Sequence, residues 1–312
     1  MTSDRRMPAP SAWSGQVDES NVLALPPRQG KPAAPDRRIV RSTDGRGIAY
    51  VEAGSGPDLV LIHGSLMALE DMWLGPMTAL SRHFRVIAVD RPGHGASDRI
   101  RFQDGSPWNQ AAIIRDAMKA LGLHRPVLVG HSFGGAVALS YAMSFPEDVA
   151  GVVAIAPICF PEPRLEQVLF GPRAVPIFGD ALAFSGGPAF DAAILPLLWR
   201  AMFLPQEMPA RVAAEFPFAW VRRPAPMIAN GEDVAALWPG LTRSALAYAT
   251  CPVPVRILGG EADIVVNNLF HGWNAARLLP DAQFDLIAGA GHMLHHFHIE
   301  EIVAAARGAS GS

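Results

Sequence analysis

The chain has 312 residues, 50% of them hydrophobic and only 18% charged, with 26 basic against 29 acidic side chains and a net charge of -3. Such a length holds one large α/β domain or two ordinary ones. The apolar content excludes a disordered chain, no run approaches about 18 consecutive apolar residues, and the near-neutral charge leaves no footprint for nucleic acid.

Residues 1 to about 36 carry six of the 28 prolines and no apolar period, which predicts a flexible tail. Arg5-Arg6 is followed by Met7-Pro8-Ala9-Pro10 instead of an apolar core, so no secretory peptide is expected. Past Arg38 the chain alternates short β-type runs with helical stretches. Ile39-Val40 and Ile48 to Val51 read as a pair of strands around the Asp44-Gly45 turn. Leu59 to Ile62, Val86 to Val89, Val127 to Val129 and Val152 to Ile155 are continuous apolar runs, as strands covered on both faces should be. Val253 to Leu258 and Phe284 to Ile287 follow later. Gln110 to Leu121 and Ala136 to Phe145 are long enough to be crossover helices. The class implied is α/β, a mostly parallel sheet with helices on both sides. Residues 157 to about 245 break the rhythm: they hold 13 prolines and three tryptophans without strand alternation, and read as an insertion of proline-punctuated helices.

Gly130-His131-Ser132-Phe133-Gly134 matches G-x-S-x-G directly after one predicted strand and before a helical stretch. A serine on such a turn projects its hydroxyl at the sheet's carboxyl edge, with the first helical N–H groups behind it. Serine needs a base, and His292 lies in the loop Gly289-Ala290-Gly291-His292 after the last predicted strand. The orienting acid should come from the preceding strand end, where Gly260-Glu261-Ala262-Asp263 stands. Glu261 sits too early in that turn and Asp285 inside a strand, so Asp263 is the candidate, in the order Ser132, Asp263, His292. For the oxyanion hole the candidates are the backbone N–H of Phe133 and, in His63-Gly64-Ser65-Leu66, that of Ser65 (or of Leu66).

These motifs, with Asp90-Arg91-Pro92-Gly93-His94-Gly95-Ala96-Ser97 resembling a D-x-x-G-x-G-x-S loop, make residues 37 to 308 similar to the α/β-hydrolase-fold family. The resemblance implies an eight-stranded sheet, with a core at 37–156 and 246–308 and a mobile helical cap at 157–245 after the sixth strand. Valines follow Asp263 where relatives frequently carry proline. A serine nucleophile argues against the family's dehalogenases and epoxide hydrolases, which use a carboxylate there.

The expected activity is hydrolysis of a small, rather apolar ester, thioester or lactone through an acyl-enzyme. Acyl transfer, carbon–carbon bond hydrolysis, cofactor-free perhydrolysis, or ligand binding without turnover are the alternatives. No metal or organic cofactor is expected. His292, His295, His296 and His298 are dense, yet no carboxylate or cysteine joins them at ligand spacing, so the last three read as helix-start and surface residues. His131 reads as a packed neighbour of the nucleophile, and Asp90 and Ser97 as ties within their loop. Cys159 and Cys251 cannot form a disulfide framework and read as small apolar fillers. A small-molecule substrate, no nucleic-acid or membrane partner, a monomer or homodimer and a cytoplasmic location complete the expectations.

Overall fold

The computed structural model describes residues 36–310, and the predicted tail, apart from its last residue, lies outside them. The first strands, β1 (Arg38–Arg41) and β2 (Gly47–Ala53), pair antiparallel with Arg41 opposite Gly47. Gly45, at φ 88°, turns the chain between them. Then come β3 (Asp58–Ile62), α1 (Leu69–Leu74), α2 (Met77–Leu80), β4 (Arg85–Val89), α3 (Pro107–Ala120), β5 (Val127–His131), α4 (Phe133–Ser144) and β6 (Gly151–Ile155). Six helices precede the next strand: α5 (Leu165–Leu169), α6 (Phe178–Phe184), α7 (Gly187–Phe203), α8 (Ala210–Glu215), α9 (Phe218–Val221) and α10 (Pro224–Ala247). β7 (Val255–Gly260), α11 (Asn274–Leu278), β8 (Ala282–Ile287) and α12 (Ile299–Ala309) complete the described chain. The sheet has eight strands in the order β1-β2-β4-β3-β5-β6-β7-β8. From β4 to β8 every pairing is parallel.

The continuous apolar runs are the buried centre of this sheet. Successive side chains on a strand point to opposite faces, and β3 divides accordingly. Val60 and Ile62 join a cluster with Ile114, Val137 and Leu139 of α3 and α4, whereas Leu59 and Leu61 join Met72, Met77 and Ile302 of α1, α2 and α12. Both faces are therefore covered, as parallel sheets require.

Two helices start three residues before the predicted positions. For α3, Ser106 Oγ accepts from the Trp108 N–H and Pro107 stands in the first turn, where its missing N–H is no loss. For α4, the helix begins at Phe133, immediately after the G-x-S turn. Between β6 and β7, Pro196 and Pro239 sit inside α7 and α10, each removing one helical hydrogen bond. A third apolar cluster joins these helices to the sheet: Phe170, Leu195, Trp199, Phe203, Phe216 and Met227 pack with Leu66, Met67 and Ala68 after β3 and with Met293. Among the described residues no single helix is long and apolar enough to cross a membrane; α6 and α7 pass only as a pair bent by 73°.

Candidate active site

The site assembles at the carboxyl ends of β3, β5, β7 and β8. Ser132 follows β5 directly with φ 53° and ψ -115°, a conformation that side chains seldom adopt. It is held there by its N–H donating to Ile155 O at 2.9 Å and its carbonyl accepting from Gly135 at 3.0 Å. The glycines around it are steric necessities. A Cβ at Gly134 would stand 2.2 Å from Ile62 O and 2.6 Å from His63 O, so α4 lies directly against the end of β3. A Cβ at Gly64 would stand 3.3 Å from Ser132 Cβ, which places the loop after β3 beside Ser132.

Asp263 and His292 meet at 2.8 Å, Oδ2 to Nδ1, with both side chains buried. The carboxylate is saturated: Oδ1 accepts from the N–H groups of Val265 (2.7 Å) and Val266 (2.9 Å), and Oδ2 also accepts from Asn268 Nδ2 (3.0 Å). Burial pushes this carboxyl up, but the His292 charge and hydrogen bond, with the two backbone N–H groups, outweigh it and hold Asp263 below its usual range. The rival acids do other work. Glu261 Oε2 accepts from the Gly289 N–H at 3.0 Å and so ties the two loops, while Asp285 is exposed on the edge strand β8. His131, next to Ser132 in the chain, donates from Nε2 to the His292 carbonyl at 3.1 Å, and its ring lies tilted 4.6 Å from the His292 ring. Burial keeps His131 neutral, so it serves as a packed strut between Ser132 and His292. Ser132 is 5% and His292 1% exposed.

Of the predicted oxyanion donors, Phe133 is the first residue of α4, where N–H groups have no intrahelical acceptor. Between Ser65 and Leu66 the structure discriminates. The Leu66 N–H is already taken by Asn230 Oδ1 at 3.0 Å, leaving Ser65 as the candidate.

The histidine cluster departs from expectation. His295 and His296 are buried, and a carboxylate does join them: Asp71 of α1, whose Oδ2 accepts from His295 Nε2 at 2.9 Å and Oδ1 from His296 Nε2 at 2.8 Å. Asp71 lies more than 200 residues away in the chain, beyond any local spacing. Burial pushes its carboxyl up, but the two histidines override this and hold it well below the usual range. Asp71, His131 and His295 present ligand atoms within 4.8 Å of one another, and the 2.9 Å between Asp71 and His295 is a hydrogen-bond separation. The cluster knits α1 to the turn behind His292. His298, by contrast, does start a helix, pairing with Glu301 in the first turn of α12.

The loop after β4 closes as predicted. Asp90 accepts from the N–H groups of Leu69 (2.9 Å) and Ala96 (3.0 Å), and Ser97 Oγ donates to Asp90 O at 2.7 Å. Cys159 and Cys251 are buried and unbridged, with burial pushing the Cys159 thiol up to about 12. Sequence reasoning missed Asn268, although it lies only five residues past Asp263, and the polar residues of α10 that reach the sheet.

A family model of the alpha/beta hydrolase fold matches residues 57–299. An uncharacterized protein of Mycobacterium tuberculosis is 29% identical over 281 residues, covering 86% of this chain and 80% of the relative. Among solved structures, an alpha/beta hydrolase fold protein from Burkholderia ambifaria aligns with a TM-score of 0.72 at 23% identity, over 88% of this chain and 97% of that one. The esterase RhEst1 from Rhodococcus sp. ECU1013 aligns with a TM-score of 0.68 at 25% identity, over 88% and 98%.

Proposed function

The chain belongs to the α/β-hydrolase-fold family of enzymes, and we propose that it is a serine hydrolase of a small, fairly apolar carboxylic ester, thioester or lactone. The observation that supports this reading is the 2.8 Å Asp263–His292 hydrogen bond, tied through the His131 bond to the His292 carbonyl to a neighbouring serine on a strained strand-to-helix turn. Likeness to an esterase supports the ester as the substrate class.

Asp263 accepts a hydrogen bond from the Nδ1–H of His292, which keeps the proton on Nδ1 and leaves Nε2 as the basic nitrogen. Nε2 takes the Ser132 proton as Oγ attacks the carbonyl carbon. The negative charge that develops on the carbonyl oxygen is met by the N–H groups of Phe133 and Ser65 and by the positive end of α4. The imidazolium, stabilised by Asp263, returns its proton to the leaving oxygen or sulfur and releases it. Water, deprotonated by the same nitrogen, then attacks the acyl-enzyme and regenerates Ser132.

The test is turnover of a short-chain p-nitrophenyl ester by the protein and its Ser132→Ala variant. The expected loss in kcat is at least about a thousandfold, since the nucleophile acts in both half-reactions. Equal turnover by the two proteins refutes the proposal.

A further inference from the structure

The loop that offers the Ser65 N–H is built largely by the helices inserted after β6. In a trans peptide the C=O and N–H point in opposite directions, so whatever holds one group aims the other. The Gly64 carbonyl, on the Gly64–Ser65 peptide, accepts from His63 Nδ1 at 2.8 Å and from Arg91 Nη2 at 3.2 Å, which turns the Ser65 N–H the opposite way. Arg91 is in turn held by Asp233 of α10, Nη1 to Oδ2 at 2.7 Å, with both side chains buried. The next peptide is pinned from the same helix: the Leu66 N–H donates to Asn230 Oδ1 at 3.0 Å, and Asn230 Nδ2 donates to Pro226 O at 2.9 Å, which orients the amide. The Leu66 carbonyl accepts from Trp199 Nε1 of α7 at 3.1 Å. Leu66 itself sits at φ 58°, a conformation a leucine keeps only when its surroundings impose it.

Asn230 and Asp233 are three residues apart and share a face of α10. Both peptides flanking Ser65 are therefore tied to one face of α10, the second directly through Asn230 and the first through Arg91, which Gln110 of α3 also holds at 2.9 Å. We infer that Asn230 is a positioning residue for the Ser65 oxyanion donor, with Trp199 as its counterpart on the far side of Leu66. α10 is then a fixed wall of the reaction centre, not a flap that swings clear of it during turnover. This inference rests on the serine-hydrolase reading.

The experiment measures kcat and KM on the p-nitrophenyl ester for the full-length protein, per site titrated to completion with a fluorophosphonate. The variants are Asn230→Leu, Asn230→Asp and Trp199→Phe. Removing an oxyanion donor outright lowers kcat by about 10²–10³, so misaiming one through Asn230→Leu is expected to lower it by about ten- to a hundredfold, with KM within about threefold. Asn230→Asp keeps an acceptor for the Leu66 N–H and is expected to restore at least about tenfold of that loss. Trp199→Phe is expected to lower kcat in the same direction, and combined with Asn230→Leu to fall short of the product of the two effects, because both act on Leu66. A kcat per titrated site within threefold of the parent for Asn230→Leu, or no rescue by Asn230→Asp, overturns the inference. If Asn230→Leu does not fold, an unchanged kcat for Trp199→Phe overturns it instead. Turnover that does not depend on Ser132 removes the serine-hydrolase reading and this inference together, whereas Ser132-dependent turnover indifferent to these variants removes only the inference.

Discussion

Replacing Asp263 by asparagine preserves the side chain's volume and exchanges one acceptor oxygen for a donor. In the native site four N–H groups converge on the carboxylate: Val265 and Val266 on Oδ1, Asn268 and His292 on Oδ2. An amide oxygen cannot serve all four. The two backbone donors are fixed in their turn, so the amide oxygen must face them and its NH2 must face Asn268 and His292. His292 can then meet the amide only by offering an unprotonated Nδ1, which moves its proton to Nε2, the nitrogen that should receive the Ser132 proton. The opposite amide orientation sets NH2 against two backbone N–H groups and is worse. This wrong-tautomer state lowers kcat by about 10⁴ in a serine triad, equivalent to about 5.5 kcal/mol at about 1.36 kcal/mol per tenfold, with little change in KM. The assay is steady-state ester hydrolysis by Asp263→Asn at pH 7, with circular dichroism to confirm that it folds. A kcat within tenfold of the parent refutes both the tautomer argument and the assignment of Asp263.

Two other outcomes follow from burial and packing. Gly134→Ala places a methyl group 2.2 Å from Ile62 O, a backbone atom that cannot yield cheaply, and is expected to lower stability by at least about 1–3 kcal/mol and to abolish turnover. Gly171→Ala meets nothing within 4 Å and is expected to match the parent in urea denaturation; similar midpoints for both variants would refute the packing account. Acid should destabilise the fold well above the carboxylate range. Burial, followed by the Arg91 charge, pushes His94 down to about 4, so between 6.5 and that value the unfolded chain binds a proton that the folded chain does not. Stability is then complete above about pH 6.5 and lost on descending towards 4, an interval worth about 3 kcal/mol at about 1.36 kcal/mol per pH unit. His63, His131, His271 and His295, also pushed down by burial, act in the same direction. Equal urea midpoints at pH 7 and pH 5 would contradict this.

What could be read from the sequence is what depends on chain neighbours. β3 to β6 were legible as unbroken apolar runs because a strand buried on both faces has no polar side to show. Ser132, Asp263 and His292 each stand within a few residues of a strand end, in turns whose glycines mark close backbone approach. The start of α3 does not follow the apolar period, because a serine cap and a first-turn proline decide it. The start of α4 does not either, because its first turn is the glycine-containing turn itself. Nothing in the local sequence shows that the His295 and His296 side chains are buried, because their partner Asp71 reaches them only when α1 packs against the turn that precedes α12. Asn230, Glu232 and Asp233 did leave a trace. Three polar residues cluster at Asn230-Gly231-Glu232-Asp233, flanked by apolar residues in the first half of α10, and all three are buried. Such groups must find partners, but helical spacing cannot say that the partners are Leu66, Arg91 and Arg99.

The carboxyl edge of the sheet shows what the helices between β6 and β7 hold in place. Of the six described non-glycine residues with positive φ, three follow neighbouring strands there: Leu66 after β3, Ser132 after β5 and Ala156 after β6. Each such conformation costs about 1–2 kcal/mol and persists only if its neighbours over-determine it. Ser132 and Ala156 come one residue past their strands, and the sheet holds them directly: the Ser132 N–H bonds Ile155 O and the Ala156 N–H bonds Leu258 O at 2.7 Å. Leu66 stands four residues beyond Ile62, out of reach of any strand. Its N–H and C=O are held by Asn230 and Trp199 instead, and its side chain lies in the cluster those helices share. The sheet alone can therefore hold the Ser132 backbone, whereas Leu66, one residue past Ser65, takes its conformation from α7 and α10.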